Sequence, residues 1–74
     1  MKEVLFKYFN NFKENIKIER QNLKLSQKQV ADKLGIKTQS YQAYESGLTM
    51  PTMENFLKLC IVFNVSPNEL LGLD

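Results

Sequence analysis

Apolar positions along this chain fall into short stripes at helical spacing, separated by residues that end helices. Ser26, followed by Gln29 three residues on, forms a capping box, and Gly35 suits the left-handed residue just past a helix end. Between them Val30, Ala31 and Leu34 make a buried stripe, with Lys28, Gln29, Asp32 and Lys33 left outside. The next helix runs from about Thr38 to Ser46 and stops at Gly47. Thr52, after Pro51, caps a fourth helix whose apolar positions Met53, Phe56, Leu57, Cys60 and Phe63 recur at helical spacing, with Asn64 as its left-handed end. The "SPNE" at 66–69 is a second capping box with proline at the first helical position, and Gly72 closes a short last helix. Upstream, Phe12, Ile16 and Leu23 share one face of a first helix spanning roughly residues 11–23. No alternating run predicts a strand, and no linker, repeat or low-complexity segment divides the chain. The pattern predicts an all-α fold, a compact bundle of about five short helices in a single domain over residues 1–74.

The helix over 38–46 is the informative one. Tyr41 and Tyr44 share one side and turn inward with Leu34 and Ile36. The opposite side carries Gln39, Gln42, Ala43 and Ser46, with Lys37 and Thr38 at its N-terminal edge. A glutamine amide holds a donor and an acceptor in one plane, which matches the N6/N7 edge of adenine in the major groove, and alanine suits a thymine methyl. A lysine-rich face would mostly grip phosphates instead. Alone, such a face is ordinary solvated surface. Its place after another helix and a turn of three or four residues gives it meaning.

Composition narrows the classes of function. With 43% apolar residues in 74, the chain is globular rather than disordered. Residues 1–37 carry nine lysine or arginine residues against four acids, whereas residues 38–74 carry Lys58 alone against four. A basic half beside an acidic half points to a polyanionic partner, or else to lysines kept for solubility. Cys60 is the only cysteine and sits at an apolar helix position, so it reads as core. One cysteine and no histidine cannot build a usual zinc shell, and neither a metal nor a cofactor is expected. The acids lie scattered among lysines with no nucleophile beside a base, so an enzyme is not expected. No apolar run approaches the ~20 residues that span a bilayer, and the N-terminus lacks an h-region with a cleavage site. A cytoplasmic protein with no membrane partner is the expectation.

The segments "LSQKQVADKLGI", "SYQAYESG", the proline of "LTMPT" and "FNVSPNELL" keep register without a gap across residues 16–71, about three quarters of the chain. This stretch resembles the Cro/C1-type helix-turn-helix family, also called the XRE family. The resemblance implies a lambda repressor-like bundle, double-stranded DNA as partner, and a homodimer on two half-sites about 34 Å apart. It implies that Gln27, at the exposed start of the second helix, binds a phosphate and braces Gln39. Gln39 becomes the principal base reader, with Thr38 reaching in from the helix end and Ala43 a turn later. Ser40, Ser46 and Thr49 then contact phosphate or sugar, while Lys28 and Lys37 add charge attraction. Arg20, the only arginine, is expected to pair with Glu45 and so position the reading helix. The chain departs from the family pattern at Leu48, Thr49 and Met50, where many relatives are basic, at Glu19, where an apolar residue is usual, and at Lys37, often a serine cap.

Two further groups call for a role. Leu48, Met50, Ile61 and Leu73 are expected to form an exposed apolar patch that helps two copies dimerise. Residues 1–11 extend beyond the family pattern, and Leu5, Tyr8, Phe9 and Phe12 stand at helical spacing. They are expected to lengthen the first helix and pack on the core or a second subunit; an interfacial membrane helix is the remaining reading. The sequence therefore describes a transcriptional regulator, a repressor first of all. With no appended sensor domain, its occupancy is expected to follow protein concentration or a partner rather than a small-molecule ligand. The alternative is a protein-interaction module or antitoxin-like partner that uses the same bundle with weak DNA binding.

Overall fold

The structure is a computed structural model and describes residues 1–73. Five helices follow one another: α1 Lys2–Asn22, α2 Gln27–Leu34, α3 Thr38–Ser46, α4 Met53–Phe63 and α5 Pro67–Leu71. No strand occurs among the described residues.

Side chains close most of the helix starts. Ser26 Oγ accepts from the Gln29 N–H at 3.0 Å while Gln29 Oε1 accepts from the Ser26 N–H at 2.8 Å. Ser66 and Glu69 make the same reciprocal pair at the start of α5, and Thr52 Oγ1 accepts from the Asn55 N–H at the start of α4. Each such cap contributes about 1 kcal/mol. The exceptions are α1 and α3, where Met1 and Lys37 stand at the cap position and offer no side-chain acceptor. Gly47 ends α3 at φ +80°, and a β-carbon there would meet Lys13 Cδ at 2.9 Å. The left-handed turn is what favours glycine there, since the flexible Lys13 side chain can move aside.

The first helix is longer than its core stripe predicts. It begins at Lys2, not near residue 11, because no glycine or proline stands before Gly35 and the apolar spacing continues upstream. At 1.5 Å per residue its 21 residues span roughly 31 Å, nearly the 34 Å length of the molecule. Of the four upstream apolar residues only Phe12 is buried; Leu5 and Phe9 stay nearly half exposed. Leu23 also differs from expectation. It caps α1 and is half exposed, because the chain reverses at Lys24 (φ +58°), and Leu25 packs against the core instead.

The core joins Phe12 and Ile16 of α1, Val30, Ala31 and Leu34 of α2, Tyr41 and Tyr44 of α3, Leu59, Cys60 and Phe63 of α4, and Leu70 of α5. Each fully buried large apolar side chain stabilises the fold by roughly 1.5–3 kcal/mol. On α4 the buried set is rotated from the expected one. Met53 and Leu57 face outward, and Leu59, fully buried, takes the inward place, because Phe56, Leu59, Cys60 and Phe63 form the i, i+3, i+4, i+7 row that meets α2 and α5. Burial raises the Cys60 thiol above its ordinary range, as suits an inert core residue. Two amides then tie α1 to the last helix. Asn11 Nδ2 donates to the Leu71 carbonyl at 3.1 Å, and Asn15 Nδ2 donates to that of Leu70 at 3.0 Å. These bonds satisfy carbonyls that a helix end leaves unpaired.

Candidate nucleic-acid interface

Helices α2 and α3 pack on one another across a turn of three residues, 35–37. The two tyrosines decide how α3 is rolled. Tyr41 and Tyr44 are buried with their rings edge to face, centroids 6.2 Å apart. The Tyr44 hydroxyl accepts from Asn55 Nδ2 at 3.1 Å, whereas the Tyr41 hydroxyl is buried without a hydrogen bond. With that side turned inward, Gln39, Ser40, Gln42 and Ser46 are exposed, and Thr38 and Ala43 are half-buried at the edges of the same face.

A chain of polar contacts fixes this face from behind. Arg20 Nε donates to Glu45 Oε2 at 2.6 Å and Arg20 Nη2 to Glu45 Oε1 at 3.1 Å, while Nη1 donates to the Leu25 carbonyl at 3.0 Å. The pair is largely withdrawn from water, with 14% of the Arg20 and 5% of the Glu45 side chain exposed. Its hydrogen bond to Glu45 raises the Arg20 pKa further, so the guanidinium stays charged. Burial pushes the Glu45 carboxyl up, but the hydrogen bonds from Arg20 and Gln27, with the Tyr41 hydroxyl close by, outweigh it and leave the group below its ordinary value. Burial, helped by the nearby carboxylate, raises the Tyr41 phenol.

The chain continues outward from Glu45. Gln27 Nε2 donates to Glu45 Oε1 at 3.1 Å, and Gln42 Nε2 donates to Gln27 Oε1 at 3.1 Å. Gln27 therefore braces Gln42, not Gln39. The order of these bonds has a chemical cause. An ionised carboxylate only accepts, so the Gln27 amide turns its NH2 toward Glu45 and its carbonyl toward Gln42. Gln42 then gives one N–H to Gln27, leaving its carbonyl oxygen and its other N–H to the outside. Gln39 makes no such bond and is free to turn.

The remaining expected residues are spread around that face. Lys37 lies exposed at the start of α3. Lys28 is exposed but paired with Asp32 at 2.9 Å one turn on, which lessens the attraction expected of it. Ser46 Oγ donates to the Ala43 carbonyl and accepts from the Leu48 N–H, closing the helix end, and Thr49 is exposed just beyond. One cation was missed. An open cleft between α1 and α3 is lined by Lys17 together with Ser26, Gln27, Gln42 and Ser46. The spacing of Lys13, Lys17 and Arg20 at i, i+4 and i+7 places all three on one side of α1, a signal present in the sequence.

The geometry is that of two helices around a short turn, with the second helix held by its apolar side and bare on its amide side. A sequence model of the helix-turn-helix family matches residues 16–70. The chain belongs to the Cro/C1-type helix-turn-helix family. This helix-turn-helix chain is 42% identical over 60 residues to the cryptic phage CTXphi transcriptional repressor RstR of Vibrio cholerae, a match covering 81% of this chain and 54% of that protein. It is 40% identical over 60 residues to the uncharacterized HTH-type transcriptional regulator YqaE of Bacillus subtilis, covering 81% and 52%. The chain thus spans about half the length of the curated relatives it matches. No solved structure matches it significantly.

The helix-turn-helix match takes in the whole Arg20–Glu45–Gln27–Gln42 chain and leaves the first two thirds of α1 outside. Apolar residues are divided differently. Leu48 and Met50 line one cleft with Phe6 and Phe9; Ile61 and Leu73 do not line it. Ile61 instead lies a turn beyond Leu57 on the outward stripe of α4. Among the described residues no group of acids or cysteine gathers as a metal site, and no helix is long and apolar enough to cross a membrane.

Proposed function

We propose that the protein is a sequence-specific DNA-binding transcriptional regulator, acting as a repressor, whose α3 lies in the major groove of an operator. One observation carries this reading: an uncharged amide face stands opposite two buried tyrosines and is held from behind by a buried ion pair. A face built to grip phosphate would carry lysines; this one carries amides, which read base edges. Gln39 is the principal reader, with Thr38 and Ala43 beside it. Gln42, its orientation set by Gln27, offers a fixed carbonyl acceptor to an exocyclic amino group of cytosine or adenine. Lys37 and Lys17 attract the phosphates on either side, and Ser40, Ser46 and Thr49 touch the backbone. Gln27 works chiefly by holding Gln42.

The name of one relative, a transcriptional repressor, supports repression, and that of the other, a transcriptional regulator, supports control of transcription. A two-fold dimer on paired half-sites supplies the length of contact that a nine-residue helix lacks by itself. Selection of sites from random duplexes at two salt concentrations tests the reading. Enrichment of a common half-site, with affinity that falls steeply as salt rises, is the expected result. A protein that prefers no duplex over bulk genomic competitor would refute it.

A further inference from the structure

The core-facing stripe of α1 does not stop where the bundle stops. Phe12 and Ile16 are fully buried, and the same stripe runs on through Leu5 and Phe9, which the rest of the chain covers only in part. Phe6 and Phe9 form one wall of a groove of about 370 Å³, and the loop carrying Leu48 and Met50 forms the other. Met50 also borders a second apolar cleft that reaches Met53, so the surface is continuous from α1 across the loop to the start of α4. The six side chains Leu5, Phe6, Phe9, Leu48, Met50 and Met53 are between 39% and 80% exposed. At roughly 200 Å² for a large side chain, their exposed parts amount to roughly 700 Å², more than the ~300–600 Å² patch of a typical monomer. That is close to the ~800 Å² each partner gives to a standard interface.

We propose that a second copy of this chain docks here, across a two-fold axis. Each copy supplies both a groove and a projecting aromatic stretch of helix, the self-complementarity that an isologous contact requires. A concave groove with a loop for one wall takes a rod better than the plane of a lipid surface. Leu48 and Met50, the apolar tips of the loop, suit an interface core, where charge is depleted. Of the four residues expected at a dimer contact, Leu48 and Met50 belong to this surface, while Ile61 is left facing water.

The inference rests on the proposed regulator only in that paired half-sites call for a dimer, and its test needs no DNA. Sedimentation velocity over a concentration series compares the wild-type chain with Phe6→Glu and Ile61→Glu, both at exposed positions, with helicity checked by circular dichroism. The wild type sediments as a dimer, Phe6→Glu raises the dissociation constant by roughly 30-fold or more, and Ile61→Glu leaves it unchanged. A wild-type chain that stays monomeric at about 100 μM overturns the proposal. So does a dimer that Ile61→Glu breaks and Phe6→Glu does not, or a monomer that pellets with phosphatidylglycerol vesicles. A monomer that still selects a half-site sinks this proposal and spares the reading of α3; a dimer that discriminates no duplex does the reverse.

Discussion

Replacing Glu45 by glutamine tests how the reading helix is held. The substitution keeps the shape but removes the charge that faces Arg20, whose side chain is only 14% exposed. A neutral amide has one acceptor oxygen, and three donors converge on this site: two from Arg20 and one from Gln27. At least one buried donor is left unpaired, and the guanidinium loses its counter-charge. Breaking one side of a buried pair costs about 3–5 kcal/mol; the low end applies here, since Arg20 keeps its bond to the Leu25 carbonyl. About 3 kcal/mol in a domain of this size lowers Tm by roughly 15 °C. The effect has a pH signature. Because the folded carboxyl titrates below its ordinary value, its stabilisation is fully present above the unfolded pKa of about 4.3 and is lost as pH falls through the lower folded value. Thermal or urea unfolding followed by circular dichroism from neutral pH downward should therefore show the gap between wild type and Glu45→Gln closing in acid, as the wild-type group protonates. A mutant as stable as wild type at neutral pH would refute the reasoning, and so would a gap that stays constant throughout the series.

Gln39→Ala is expected to cost about 1–3 kcal/mol on the selected operator and to relax preference at one base position, measured by fluorescence anisotropy on a set of single-base operator variants. Lys37→Ala should instead weaken all duplexes alike and lower the slope of log affinity against log salt by about 1; equal losses by both variants on random DNA would contradict this division of labour. Tyr41→Phe removes a buried hydroxyl that makes no hydrogen bond and is expected to raise stability by about 1 kcal/mol, read as a rise in the urea midpoint. A fall would mean that the hydroxyl is paired in solution.

How far the sequence reaches can be judged element by element. Caps and stops are local chemistry, so the bounds of α2 to α5 follow from Ser26, Gly35, Gly47, Thr52, Asn64, Ser66 and Gly72 without any knowledge of what surrounds them. The roll of α3 is equally legible, because two tyrosines three residues apart mark one side for burial. Residues 2–11 lengthen α1 as their spacing predicts, but how much of that extension the core covers was not legible, because an apolar residue at helical spacing reads the same whether the bundle reaches it or not. Phe9 and Phe12 carry identical side chains a turn apart, and only the length of the other four helices buries one and leaves the other half exposed.

The polar chain behind α3 shows the same limit. The sequence offers Gln27 two amides to hold, Gln39 and Gln42. Their side chains differ by less than a turn of helix, and the choice depends on the angle at which α2 meets α3. On α4, Met53, Leu57 and Leu59 are all apolar, and the neighbours α2 and α5 select which faces inward. Local backbone preferences, helix ends and the identity of the amide face were thus written in the order of residues, since each depends on contacts within a turn or two. Which apolar surface remains uncovered, and which amide is locked, came only from the packing of helices far apart in sequence, since burial and hydrogen-bond partners are set by relative position and not by spacing along the chain.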